Sequence, residues 1–150
     1  MGRTIGAVIV GYLIMFVVVF GGLTAAYMAI GADRAFQAGT YDVSGLWIGV
    51  MSAVGLIAAM AGGWVCATIA GRGGVKALAG LVLILGILFA IPVLFASPNA
   101  EKKVRPADVS MMTAMSESQQ PAWAAILNPV LGVVGVMIGG KRKNLAARNY

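Results

Sequence analysis

The chain contains no histidine and a single cysteine, Cys66. Bis-histidine haem, His-ligated zinc or copper, and Ser–His or Cys–His nucleophilic catalysis are therefore excluded. A lone cysteine cannot close an internal disulfide. Cys66 reads as a small packing residue. Charge is scarce as well. Asp, Glu, Lys and Arg make up 11% of the 150 residues, against 60% hydrophobic residues, where a soluble domain carries about 25% charged residues. Mean hydropathy is +0.91. Acidic residues are the scarcest of all, five against eleven basic ones.

The placement of the gaps is more informative than their sum. No charged residue occurs between Thr4 and Ala32, between Val43 and Gly71, between Ala77 and Ala100, or between Ser118 and Gly140. A helix needs about 20 residues to cross a hydrocarbon core of roughly 30 Å, and each stretch is long enough. The pattern predicts an all-α integral membrane protein. Its four transmembrane helices, over about 5–29, 45–70, 77–96 and 122–139, form an antiparallel bundle and one domain over 1–150. Residues 30–44 are expected as a short loop, Gly71 to Lys76 as a tight turn, 97–121 as the one sizeable loop, and 141–150 as a basic tail. The first stretch reads as a retained span, because its apolar run is about twice the 7–15 residues of a signal peptide core. Met1-Gly2 does not continue as a myristoylation signal, since Gly6 stands where Ser or Thr is wanted.

Orientation follows from Lys and Arg. Arg3, Arg72, Lys76, Lys141, Arg142, Lys143 and Arg148 share one side, seven in all; Arg34, Lys102, Lys103 and Arg105 share the other, with all five acids. The expectation is a multi-pass protein of the cell (inner) membrane with both termini cytoplasmic. The net charge of +6 then belongs to membrane edges and not to nucleic-acid binding. Each cation of Lys141-Arg142-Lys143 gains about 1 kcal/mol beside an anionic leaflet.

The second stretch places a small residue at every fourth position: Gly55, Ala59, Gly63, Ala67, Gly71. Apolar helices gain nothing by hiding from water inside a bilayer, so they associate by close packing, and small residues let backbones approach. Gly135 and Gly139 in the fourth stretch offer a matching surface, as do Gly86 and Ala90 in the third. These positions are the candidate packing residues, within one chain in the simplest reading. Self-association or packing on another membrane protein would use the same motif.

No ionisable residue lies inside a span, which removes the usual relay of a proton-coupled transporter. The uncharged polar residues there are Tyr12, Thr24, Tyr27, Ser52, Cys66, Thr68 and Asn128. Asn128 is the candidate intramembrane polar site. Its neighbour Pro129 leaves the Ala125 carbonyl without a helical donor, and the Asn128 amide is expected to bond a neighbouring span or a water held beside the broken turn, with a ligand or ion contact as the alternative. In the long loop a short amphipathic helix is expected from about Pro106 to Gln119, with Met111 and Met115 on its apolar side and Asp108, Ser116 and Glu117 toward water. Met111, Met112 and Met115 are soft thioether ligands without Cys or His support. Tyr41, Trp47 and Trp123 read as interfacial anchors, with Trp64 deeper.

No catalytic, cofactor-binding or metal-ligating residue is assigned, and no cofactor is expected. The expected function is that of a small, non-enzymatic multi-pass membrane protein acting by helix packing or association with membrane partners, with lipid, a second copy or another membrane protein as the partner. The alternatives are a small oligomeric permease or channel, and a membrane enzyme using Glu101, Asp108 or Glu117 at the interface.

Overall fold

The computed structural model describes residues 2–95, 110, 112, 113, 116 and 118–146. The chain is all-helical: α1 (Gly2–Ile30), the single turn α2 (Ala32–Ala35), α3 (Gly45–Phe95) and α4 (Ala122–Ala146). Among the described residues there is no strand, only two isolated bridges, Phe36 with Val43 and Asp42 with Gln119. Among the described residues, three helices are long and apolar enough to cross a membrane: α1, α3 and the Ala122–Lys141 part of α4. Helices suit such sequences because every backbone N–H and C=O is satisfied within the segment.

A straight helix of the 51 residues of α3 would be about 77 Å long. The chain avoids this at Gly71, whose φ of 64° and ψ of −151° are not helical. That combination lies in a region of backbone space open essentially to glycine alone. The chain doubles back there. A Cβ placed on Gly74 would sit 3.1 Å from the Cys66 Sγ, although eight residues of straight helix separate two positions by about 12 Å. Cys66 and Leu78 also both flank Gly11. The expected turn from Gly71 to Lys76 thus shrinks to one residue, with Arg72, Gly73 and Gly74 already helical. Arg3 Nη2 donates to the Ile69 carbonyl at 3.1 Å, supplying a donor where the break leaves helix carbonyls without one.

Neighbouring residues give the order of packing. Gly11 lies beside Gly62, and Gly22 beside Val54, so α1 runs antiparallel to the first half of α3 (45–70). Val75 meets Gly140, Val82 meets Gly132, and Gly86 meets Pro129, so the second half of α3 (72–95) runs antiparallel to α4. Leu56 meets Gly135 and Met60 meets Gly139, so the first half of α3 runs parallel to α4. Ala7, Ala59, Cys66, Ala67, Val75, Leu78, Ala79 and Val136 form the core at these crossings.

Residues 31–44 are more than the plain loop expected. Gly31, at φ 79°, ends α1 and begins α2. Phe36 and Val43 bridge across a turn in which Thr40 N–H donates to the Gln37 carbonyl at 3.2 Å. Ala35, Phe36, Val43 and Trp47 then bury themselves with Leu23 in a second core. Ser44 caps α3 by accepting from Trp47 N–H at 3.1 Å and donates to the Arg34 carbonyl at 2.6 Å. The expected interfacial anchors Trp47 and Tyr41 are buried here, each 7% exposed; Trp47 meets Tyr27 edge to face at 5.9 Å.

Two further expectations change. Most of the loop helix expected over Pro106 to Gln119 lies outside the described residues, as do Glu101, Asp108, Met111, Met115 and Glu117. Within the described residues Met112, Thr113 and Ser116 are helical, as expected, while Ser110 is not; it accepts from Thr113 N–H at 3.3 Å. Ser118 to Gln120 are not helical either. The tail expected after Gly139 continues α4 as far as Ala146.

Gly71→Ala is expected to destabilise the protein by about 1–3 kcal/mol, the cost of forcing a Cβ into that backbone region. Gly73→Ala, in open space on a helix, is expected to be neutral or to stabilise by up to about 1 kcal/mol. Thermal unfolding of the two variants in mild detergent checks this; equal midpoints would mean that Gly71 does not hold the break.

Candidate functional site

The small-residue stripe divides once placed in the fold. Ala59, Gly63 and Ala67 are buried. A Cβ on Gly63 would collide with the main chain of Val136, and one on Gly139 with the main chain of Met60. A Cβ on Gly135 would lie 2.6 Å from that of Ala59 and 3.1 Å from the Leu56 carbonyl oxygen. These residues come together at the contact between the first half of α3 and α4. Gly55 and Gly71 do not join them: among the described residues, no neighbour outside their own stretch of helix lies within 4 Å of a Cβ at either. Gly71 is the exposed break.

A second series escaped the sequence reading. Ala58, Gly62 and Cys66 repeat every fourth residue and are buried. They face α1, where a Cβ on Gly62 would lie 2.7 Å from the Gly11 carbonyl oxygen. The signal was present as Ala7-x-x-x-Gly11 in the first stretch, the partner surface for a stripe one residue out of step with the first.

Polar side chains gather elsewhere, at the end of the molecule that carries residues 31–44. Gln119 N–H donates to the Tyr41 carbonyl at 2.9 Å, and Val43 N–H to the Gln119 carbonyl at 3.1 Å. This pairing pins the segment before α4 onto the 31–44 cap. Two grooves flank it. One, of about 400 Å³, lies among Gln37, Asp42, Ile48, Gln119, Gln120 and Trp123. The other, of about 360 Å³, lies between the second half of α3 and the start of α4. Val82, Phe89, Ala90 and Val93 form its apolar wall, and Ser118, Gln120 and Asn128 its polar edge.

Asn128 belongs to that edge and does not bridge to another long helix, contrary to expectation. It is exposed, and its Nδ2 donates to Gln120 Oε1 at 3.5 Å, eight residues earlier. Pro129 explains the geometry. It is buried against Gly86, it has no N–H to give the Ala125 carbonyl, and Ala125 lines the same groove. The polar edge therefore combines two carboxamides and a hydroxyl. Such a set can donate and accept hydrogen bonds but carries no charge.

Gly63→Ala is expected to lower stability by about 1–3 kcal/mol, because the atoms met belong to a backbone and cannot swing away. Gly55→Ala should be neutral or gain up to about 1 kcal/mol of helix propensity. Asn128→Leu should cost less than about 1 kcal/mol, since its one hydrogen bond is long and exposed. Chemical or thermal unfolding in one detergent ranks the three; a Gly55→Ala loss as large as that of Gly63→Ala would contradict the packing.

No protein-family model matches the chain, and no curated protein or solved structure is detectably similar to it.

Proposed function

We propose that the chain is a four-span integral membrane protein that works by association with lipid or another membrane protein, without catalysing a reaction or conducting a solute. The reversal at Gly71 divides α3 into two crossings, which with α1 and α4 makes four in an antiparallel bundle. Large apolar side chains on the outer faces support this: Val17 and Ile84 are each 66% exposed, as suits contact with acyl chains.

The observation that carries the reading is the character of the interior. Its most deeply buried large side chains are Leu78, Val136 and Cys66, and no charged residue belongs to the core among the described residues. A solute path through one chain would need polar groups there. Polar groups gather instead at the cap and along the groove beside Gln120 and Asn128, so the cap end is the working surface.

Charge supports an orientation. Arg3 reaches Ile69, Gly140 meets Val75, and Arg72, Lys76 and Lys141 are exposed at the same end. Asp33, Arg34 and Asp42 are at the cap end. The basic end is cytoplasmic in this proposal, and with it both termini; the cap faces outward.

Two measurements test the proposal. In a Cys66→Ala background, an impermeant thiol reagent applied to intact cells should label Ser116→Cys and leave Asn149→Cys unlabelled; the reverse pattern would invert the orientation. Native mass spectrometry from mild detergent should retain lipid or a second membrane protein on the chain, and proteoliposomes should show no solute flux above protein-free vesicles. A homogeneous oligomer with measurable flux would replace this reading with the small permease.

A further inference from the structure

We propose that the groove between the second half of α3 and the start of α4 is a binding site for an uncharged glycerolipid of the diacylglycerol type, held by its hydroxyl and ester groups. The inference rests on the membrane reading above only in giving the groove a bilayer as its source of ligand. Its chemistry comes from the lining. Among the described residues, no Asp, Glu, Lys or Arg lines the groove. A phosphate drawn into it would leave water without a counter-charge, which is costly. A neutral head meets no such penalty. At the polar edge the amides of Gln120 and Asn128 supply N–H donors suited to ester carbonyls. Their bond to each other is already stretched to 3.5 Å and is readily exchanged for a ligand. Their amide oxygens can accept from the hydroxyl of the same head.

The opposite wall is apolar, from Val82 through Phe89 to Val93. Phe89, Ile91 and Leu94 on the same stretch of helix are themselves exposed, so apolar surface continues outward from the groove. An acyl chain could follow it while the head stays at the amides. The volume of about 360 Å³ is at the small end for ligand pockets, which run from about 300 to 1,000 Å³. It suits the glycerol linkage and the first part of one chain, with the remainder lying along the helix in lipid. Polar at one edge and apolar along the other, with no charge among its described lining residues, the groove matches an amphiphile with a neutral head.

The test uses the full chain in mild detergent, with dioctanoylglycerol as probe and dioctanoyl phosphatidate as its charged counterpart of equal chain length. Native mass spectrometry should show the neutral lipid bound about tenfold more tightly than the charged one. The double substitution Gln120→Leu with Asn128→Leu, which removes the amide donors, should weaken binding of the neutral lipid about tenfold. Val93→Trp, which fills the apolar wall, should abolish it. A cooperative thermal transition in each variant establishes that it is folded. If the double variant unfolds, Val93→Trp alone decides. Equal retention of the two lipids, binding untouched by the substitutions, or no binding by the folded wild-type chain would each overturn the site. None of these results would alter the labelling pattern that tests the four-span reading, so the two can fail separately.

Discussion

Contact between one main chain and another, at Gly63 with Val136 and at Gly139 with Met60, is the constraint on which the rest of this molecule depends. In a bilayer the surroundings are as apolar as the helices, so burial alone does not drive them together. What remains is dispersion, which falls steeply with a gap of even half an ångström. Two helices must then either approach closely or gain little. Some other glycines face only side chains, as Gly22 faces Val54 and Gly132 faces Val82, and a side chain can adjust. At Gly63 and Gly139 the facing atoms are fixed. The contact between α4 and the first half of α3 is therefore rigid, and α1 and the second half of α3 pack around it.

Helix ends pose a complementary problem, because each leaves backbone groups without partners. Ser44 serves the start of α3 with its hydroxyl, and Arg3 serves the carbonyls near Gly71 from another helix. Within the helices, Thr24 and Thr68 return their hydroxyls to the Phe20 and Val65 carbonyls at 2.6 Å, which hides them locally. Pro129 interrupts α4 without an N–H to give the Ala125 carbonyl, beside the long bond between Asn128 and Gln120. Packing and polarity are thus separated along the long axis, with close apolar contact toward Gly71 and exchangeable hydrogen bonds toward the cap.

Much of the architecture could be read from spacing. Charge-free stretches mark the long apolar helices because a charge in hydrocarbon is costly, and a small residue at every fourth position marks a contact because a helix returns to the same face at that interval. The limits were physical too. Periodicity tells which face is small but not where two helices cross, so Gly55 and Gly63 look equivalent although only Gly63 meets a neighbour. Gly71 fits the stripe by number, yet its backbone conformation removes it from the helix. The partner of Asn128 was misread because Gln120 precedes the helix and is brought near by main-chain pairing of Gln119 with Tyr41 and Val43. Main-chain pairing leaves no residue signature, and for the same reason the folding of Phe36 and Val43 into the cap was not legible.

Gly62 and Gly63 are consecutive, yet one receives α1 and the other α4. Successive residues on a helix point about 100° apart, so this dipeptide acts as a corner joint: it sets the angle at which two walls meet along a common post. A row of helices would need notches on opposite sides of the post, roughly two residues out of phase instead of one. One residue inserted between the two glycines would swing one wall by about another 100° and open the corner toward a flat sheet of helices. The cross-section of the molecule is in this sense written in two adjacent residues without side chains. It should tolerate change on its outer faces far better than any shift of register through the joint.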